Sequence, residues 1–68
     1  MNKYKYIKEG IEFRKLRIKA GFTTMREAAT HANVHYRTWQ NWELGITLSP
    51  NIVDMYLELY IQSKKLES

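Results

Sequence analysis

The side chains best suited to chemistry in this chain lie on one short segment, Tyr36–Glu43. A helix turns about 100° per residue, which places Arg37, Gln40 and Asn41 on one face with Tyr36 at its edge. These side chains can donate and accept hydrogen bonds in the patterns that base pairs present in the major groove of DNA. The segment therefore predicts a polar helix that contacts bases through these four side chains.

The opposite face of this polar helix is large and apolar. Trp39 and Trp42 are three residues apart and lie within about 60° of each other on a helix. Indole rings at this spacing either stack on nucleic-acid bases or pack in a core. Because polar side chains occupy the other face, we expect both rings to pack inward. Truncating either ring to Ala is expected to cost on the order of 3–5 kcal/mol of stability.

The residues before the polar helix predict another short helix and a tight turn, so that the whole unit spans 24–45. Thr24 and Glu27 have the spacing of a capping box, in which a hydroxyl and a carboxylate satisfy free backbone amides. Asn33 belongs to the few residue types besides glycine that adopt a left-handed backbone, which a sharp turn requires. Gly45 stands where a left-handed helix stop is expected.

Taken together, these residues resemble the helix-turn-helix DNA-binding domains of phage repressors and Cro proteins, often called the XRE family. The resemblance covers roughly residues 11–50, and its most specific part is the Trp-Glu-x-Gly end of the polar helix. It implies a lambda-repressor-like fold, which is a compact all-α bundle of four to five short helices, and sequence-specific binding to double-stranded DNA. The matching residues are Arg17-Ile18-Lys19-Ala20-Gly21-Phe22, Glu27-Ala28-Ala29, Val34, Thr38-Trp39 and Trp42-Glu43-Leu44-Gly45.

The same resemblance implies a structural role for one charged pair. Family members typically join the positions of Arg17 and Glu43 in a partly buried ion pair that braces the first helix against the polar helix. The alternative is two solvated surface charges. The chain differs from the family at Asn33, where Gly is usual, at Met25, where Gln is common, and at His35, where Ser or Thr is usual.

Residues around the polar helix are candidate contacts to the DNA backbone, because they lie on or beside the helices that would flank a groove. His35 either caps the polar helix or approaches a phosphate. The N-terminal arm, residues 1–6, alternates Lys with Tyr, and it either follows the DNA or is a frayed terminus. The candidate backbone contacts are Thr24, Arg26, Thr38, His35, Lys15 and Lys19.

Composition and charge agree with a small nucleic-acid binder. Residues 1–40 hold nine Lys or Arg against three acids, a net +6, and residues 41–68 hold two against four, a net −2. This asymmetry favours one face for an anionic partner.

The 68 residues allow one domain, and the absence of Cys excludes disulfides. No apolar run approaches the ~20 residues of a membrane span, and no signal peptide is evident, so we expect a cytoplasmic protein.

Four helices are predicted, at 8–20, 25–32, 36–43 and 50–64. The last begins after Ser49-Pro50, a common start signal. Eight of the twelve residues from Asn51 to Gln62 are apolar, and they surround this helix instead of forming one stripe. Because so small a monomer has little protein to cover such a helix, we expect a homodimer. The predicted dimer contacts are Leu57, Tyr60 and Ile61, with Ile52, Tyr56 and Leu59 left for the core.

Other kinds of site receive less support from the sequence. His31 and His35 have the i, i+4 spacing of a metal pair, but the turn at Asn33 separates them and no third ligand is near. There is no Cys nucleophile or Gly-rich phosphate loop, and the carboxylates are scattered, so neither an enzyme nor a cofactor or small-molecule substrate is indicated.

The sequence thus predicts a transcriptional regulator, a small repressor of the phage or mobile-element type, that binds an inverted-repeat operator as a dimer. The alternative is a protein-interaction module, such as an antirepressor or an antitoxin-like partner, that keeps the fold without binding DNA.

Overall fold

Four helices make up the described part of the chain, and no strand occurs there. The computed structural model describes the backbone of residues 3–67 and the side chains of residues 3–65. The helices are α1 (Ile7–Lys19), α2 (Met25–His31), α3 (Tyr36–Leu44) and α4 (Asn51–Glu67). The first three begin and end within one residue of the predicted limits, whereas α4 continues past 64. The predicted all-α class is confirmed.

The arm before α1 is attached to the end of α3. The backbone N–H of Tyr6 donates to the carbonyl of Gly45 at 2.9 Å. The ammonium group of Lys3 lies 5.5 Å from the centre of the Tyr4 ring. Residues 1 and 2 of the predicted arm lie outside the described residues, so only its last part can be placed.

The turn between α2 and α3 has the geometry that its sequence predicts. Asn33 has a φ of 57°, the left-handed value. Its N–H donates to the carbonyl of Thr30, and the N–H of Val34 donates to the carbonyl of Ala29 at 2.8 Å, which closes α2 with a Schellman motif. The half-buried side chain of Val34 then packs against the core. Short-range hydrogen bonds therefore set the path of the chain into α3.

Two glycines allow α1 to approach the end of α3. A Cβ atom at Gly10 would lie 2.5 Å from the carbonyl oxygen of Glu43, so the two helices cross with no room for a side chain. Gly45 ends α3 with a φ of 88° and lies against the backbone of Ile7. The start of α1 and the end of α3 are thus held together by backbone contacts.

The core forms where α1 packs against α3 and α4 and where α2 packs against α3. The ring of Phe13 lies 4.9 Å from that of Trp39 and 5.8 Å from that of Trp42, measured between centroids. Both indole rings are buried, so the prediction that they pack inward is confirmed. Ala28 and Ala29 are also buried and let α2 pack closely against α3.

The faces of α4 differ from those that the sequence predicts. Leu57, predicted to contact a second copy, is 0 % exposed and belongs to the core of the monomer. Tyr60 and Ile61 are half-buried and pack against that core, so their role in a dimer contact stays a prediction. Ile52 and Leu59, predicted to lie inward, are exposed, whereas Tyr56 does pack inward.

The physical reason for this correction is that an apolar pattern around a whole helix does not specify which side is buried. That choice depends on where α4 sits against α1, which no residue of α4 specifies alone. The start of α4 also differs in detail from the capping expected of a Ser-Pro pair. The hydroxyl of Ser49 donates to the carboxylate of Asp54 at 2.8 Å, and α4 begins at Asn51.

Candidate nucleic-acid interface

The outer face of α3 carries the polar side chains that the sequence singles out. Arg37 and Thr38 are exposed, and Gln40 and Asn41 are half-buried. The side chains of Arg37, Gln40 and Asn41 make no hydrogen bond or ion pair within the described part of the chain. Their hydrogen-bonding groups are therefore available to a ligand, on a helix whose opposite face is anchored in the core.

A buried ion pair fixes the position of α3 against α1. Nε of Arg17 donates to Oε2 of Glu43 at 2.6 Å, and both side chains are 6 % exposed. Nη1 of Arg17 also donates to the carbonyl of Phe22 at 2.7 Å, and Nε1 of Trp39 donates to Oε2 of Glu43 at 2.7 Å. The pair that the resemblance implies is present, and no buried polar atom of the described side chains lacks a partner. The outer face of α3 is thus presented on a rigid support.

Two of the predicted site residues meet between α2 and α3. The guanidinium carbon of Arg26 lies 4.7 Å from the centre of the Tyr36 ring, a cation–π contact. Arg26 was predicted to contact the DNA backbone and Tyr36 to contact bases. The contact orients both side chains at the start of α3, next to the outer face of that helix.

Side-chain caps define the start of both α2 and α3. Nδ1 of His35 accepts a hydrogen bond from the N–H of Arg37 at 3.2 Å, so His35 is the cap of α3. The hydroxyl oxygen of Thr24 accepts from the N–H of Glu27 at 3.1 Å. The carboxylate of Glu27 accepts from the N–H of Thr23, one residue earlier than a standard capping box requires.

Lys15 and Lys19 lie apart from the other predicted site residues. Arg17 marks the side of α1 that faces α3, and both lysines lie about 160° around the helix from it. Lys15 instead lies 3.8 Å from the carboxylate of Glu12 in an exposed pair. The structure therefore does not bring these two lysines beside α3.

One residue on the outer face of α3 received no role from the sequence. Leu44 is exposed at the end of α3, three residues after Asn41 and seven after Arg37. Helical spacing alone places Leu44 in line with these side chains. The outer face therefore ends in an apolar side chain beside the polar ones.

His31 belongs to an aromatic cluster between α2 and α4. Its carbonyl accepts a hydrogen bond from the hydroxyl of Tyr56 at 3.1 Å, and its ring lies 5.0 Å from that of Phe22. Hydrogen bonding with Tyr60 raises the pKa of Tyr56, and burial and the charge of Tyr60 act in the same direction.

In the described part of the chain, no group of three or more His, Cys, Asp or Glu side chains is placed to hold a metal ion.

No family model, curated protein or solved structure matches the chain. None of the described helices combines the length and apolar character needed to cross a membrane.

Proposed function

We propose that the chain is a sequence-specific DNA-binding transcriptional regulator, in which α2 and α3 act as a helix-turn-helix. The observation that carries the proposal is the outer face of α3. Its Arg37, Gln40 and Asn41 side chains are unpaired, and the ion pair between Arg17 and Glu43 holds the helix behind them. A rigid helix with free polar groups along one side matches what readout in a major groove requires.

Each of these side chains has a base that its hydrogen-bonding groups fit. The guanidinium of Arg37 can donate two hydrogen bonds to guanine, and the amides of Asn41 and Gln40 can each form two with adenine. Leu44 adds an apolar surface that suits the methyl group of thymine. Mixed guanine and A·T content is therefore expected at the preferred site.

The backbone contacts in this proposal come from residues around α2 and α3. Arg26 is held against Tyr36 and supplies a positive charge, while Thr24, His35 and Thr38 are exposed and polar. Contacts of this kind position a protein on DNA without reading its sequence. Residues 1–40 hold nine Lys or Arg against three Asp or Glu, and this excess of positive charge suits such a surface.

A salt titration tests the proposal directly. Binding to a random duplex is measured by fluorescence anisotropy at about 50 mM and about 200 mM salt, where a true DNA binder loses affinity steeply. Micromolar or tighter binding at the lower salt supports the proposal. A chain that binds no duplex at either concentration would overturn it.

Arg37→Ala tests the role of the outer face. We expect a loss of about 1–3 kcal/mol on a site selected from a random pool, with relaxed preference at one base position. The matched control is Lys19→Ala, which removes a positive charge from the side of α1 turned away from α3. Equal losses for Arg37→Ala on selected and random DNA would show that Arg37 contacts phosphate only.

Association of copies is part of the proposal. Two copies related by a two-fold axis would read half-sites ~34–36 Å apart in an inverted repeat, whereas copies that follow one another in the same direction would read a direct repeat. On α4, the apolar side chains available for contact are Ile52, Met55 and Leu59. The symmetry of the selected operator distinguishes such a dimer from copies that follow one another in the same direction.

A protein-interaction module remains the competing function, and exposed apolar side chains on α1 and α4 favour it. An antirepressor or antitoxin-like chain would use these surfaces and leave the outer face of α3 idle. The salt titration separates the two functions, since this competitor binds no duplex.

A further inference from the structure

The exposed side of α4 carries an apolar stripe with acidic character. Ile52, Met55 and Leu59, here called the α4 stripe, are 75 %, 65 % and 67 % exposed and lie within about 60° of one another around the helix. Between residues 51 and 62, α4 carries two acidic residues, Asp54 and Glu58, and no Lys or Arg. Glu58 lies beside the α4 stripe, and the first positive charges of α4, Lys64 and Lys65, follow more than one turn after Leu59.

The exposed side of α1 carries a second apolar stripe with basic character. Ile7, Ile11 and Ile18, here called the α1 stripe, are 50 %, 47 % and 53 % exposed and share one side of the helix. Arg14 lies in line with this stripe, between Ile11 and Ile18, and the three lysines of α1 lie to one side of it. These are Lys8, Lys15 and Lys19, of which Lys8 also lines the groove between α1 and α4 with Glu9 and Glu12.

The two stripes point away from each other. Leu16 of α1 and Asp54 of α4 both line the groove between these helices, so they mark the sides on which the helices face each other. Ile18 lies about 160° around α1 from Leu16, and Leu59 lies about 140° around α4 from Asp54. The stripes are therefore on opposite sides of the molecule, and one copy cannot join them itself.

We infer that the α1 stripe of one copy docks on the α4 stripe of a second copy, head to tail. Apolar area is buried on both sides, and the Lys and Arg side chains beside the α1 stripe approach Glu58 beside the α4 stripe. A contact between two α4 stripes brings the Glu58 carboxylates of both copies to one interface, with no Lys or Arg from residues 51–62 to offset them. A contact between two α1 stripes brings lysines and arginines together in the same way.

Such a contact does not close on itself. A pair of copies keeps one free α1 stripe and one free α4 stripe, so further copies add in the same direction and form a linear array. On DNA, this array predicts cooperative binding to direct repeats, a consequence that rests on the proposed function. The contact between the α1 stripe and the α4 stripe does not rest on that function, because it forms in the absence of DNA.

Mixing two variants distinguishes this contact from a two-fold dimer. Ile11→Glu disables the α1 stripe and Leu59→Glu disables the α4 stripe, and sedimentation measures association of each. For a head-to-tail contact, the wild type grows with concentration, each variant alone is a monomer, and their mixture forms a 1:1 dimer through the remaining intact stripes. Thr30→Glu, which adds the same charge to an exposed site on α2, serves as the control and should associate like the wild type.

Two results of that experiment overturn the inference. If Ile11→Glu still dimerises while Leu59→Glu does not, the contact joins two α4 stripes in a two-fold dimer. If the wild type stays monomeric up to about 1 mM, the stripes do not bind each other at a useful affinity. Circular dichroism of each variant checks that the helices remain folded.

A charge exchange tests the electrostatic part of the inference. Lys15→Glu should weaken association about tenfold, and pairing it with a Glu58→Lys copy should restore the lost affinity. No restoration would show that the two side chains do not meet. Binding of a single-site duplex by Leu59→Glu should match the wild type, so failure of the contact is distinguishable from failure of DNA binding.

Discussion

Glu43 accepts hydrogen bonds from two buried groups, Nε of Arg17 and Nε1 of Trp39, each within 2.7 Å. Replacing Glu43 with Ala leaves the guanidinium charge buried without its partner. We therefore expect a loss of about 3–5 kcal/mol in the free energy of unfolding, measured by urea denaturation.

Glu12→Ala is the matched control for this prediction. It breaks the exposed pair with Lys15, whose side chains are 75 % and 68 % exposed, and such surface pairs contribute about 0–1 kcal/mol. Equal losses in the two variants would mean that the pair between Arg17 and Glu43 is solvated in solution.

At the scale of elements, the crossing of α1 and α3 depends on Gly10. Replacing glycine with Ala inside a helix usually stabilises it by about 0.5–1 kcal/mol. At Gly10 the added Cβ would lie 2.5 Å from the carbonyl oxygen of Glu43, so the helices must separate. We expect Gly10→Ala to lower the midpoint of thermal unfolding, with a cost of about 1–3 kcal/mol. A higher midpoint would contradict this close approach.

The stability that the contact between α2 and α4 contributes depends on pH, and the pKa of Tyr56 sets the direction of that dependence. Hydrogen bonding with Tyr60 raises the pKa of Tyr56 above its ordinary value of 10.0. A pKa that is higher in the folded state means that neutral Tyr56 favours folding. This contribution is complete below the unfolded value and is lost as the pH rises through the folded value.

Comparing the wild type with Tyr56→Phe isolates this effect. At neutral pH the wild type should be more stable by about 1 kcal/mol, because the variant loses the hydrogen bond to the carbonyl of His31. The difference should shrink above pH 10, as measured by denaturation at a series of pH values. A difference that stays constant to about pH 11 would refute the assigned shift.

At the scale of the whole molecule, two positively charged residues that the sequence predicts as contacts to the DNA backbone lie in different places. Arg26 lies beside α3, whereas Lys19 lies on the far side of α1. If α3 enters a groove, Arg26→Gln should reduce the dependence of log affinity on log salt by about one unit. Lys19→Gln should leave that slope unchanged. The opposite result would place α1 against the DNA.

Much of the fold and of the candidate site was predictable because the interactions behind them are local. The caps at Thr24 and His35, the left-handed turn at Asn33 and the stop at Gly45 each involve residues a few positions apart. Helical spacing likewise placed Arg37 opposite the buried indole rings. The link between Arg17 and Glu43, 26 positions apart, came from the family resemblance, since no local pattern encodes it.

Contacts between distant segments were decided only by the tertiary structure. The position of α4 against α1 determines that Leu57 is buried and Leu59 exposed, although both are apolar residues of one helix. The packing of α2 on α3 places Arg26 over Tyr36, and the position of α1 turns Lys15 away from them. Periodicity specifies which residues share a face of a helix, but only the arrangement of neighbouring helices determines which face each of them covers.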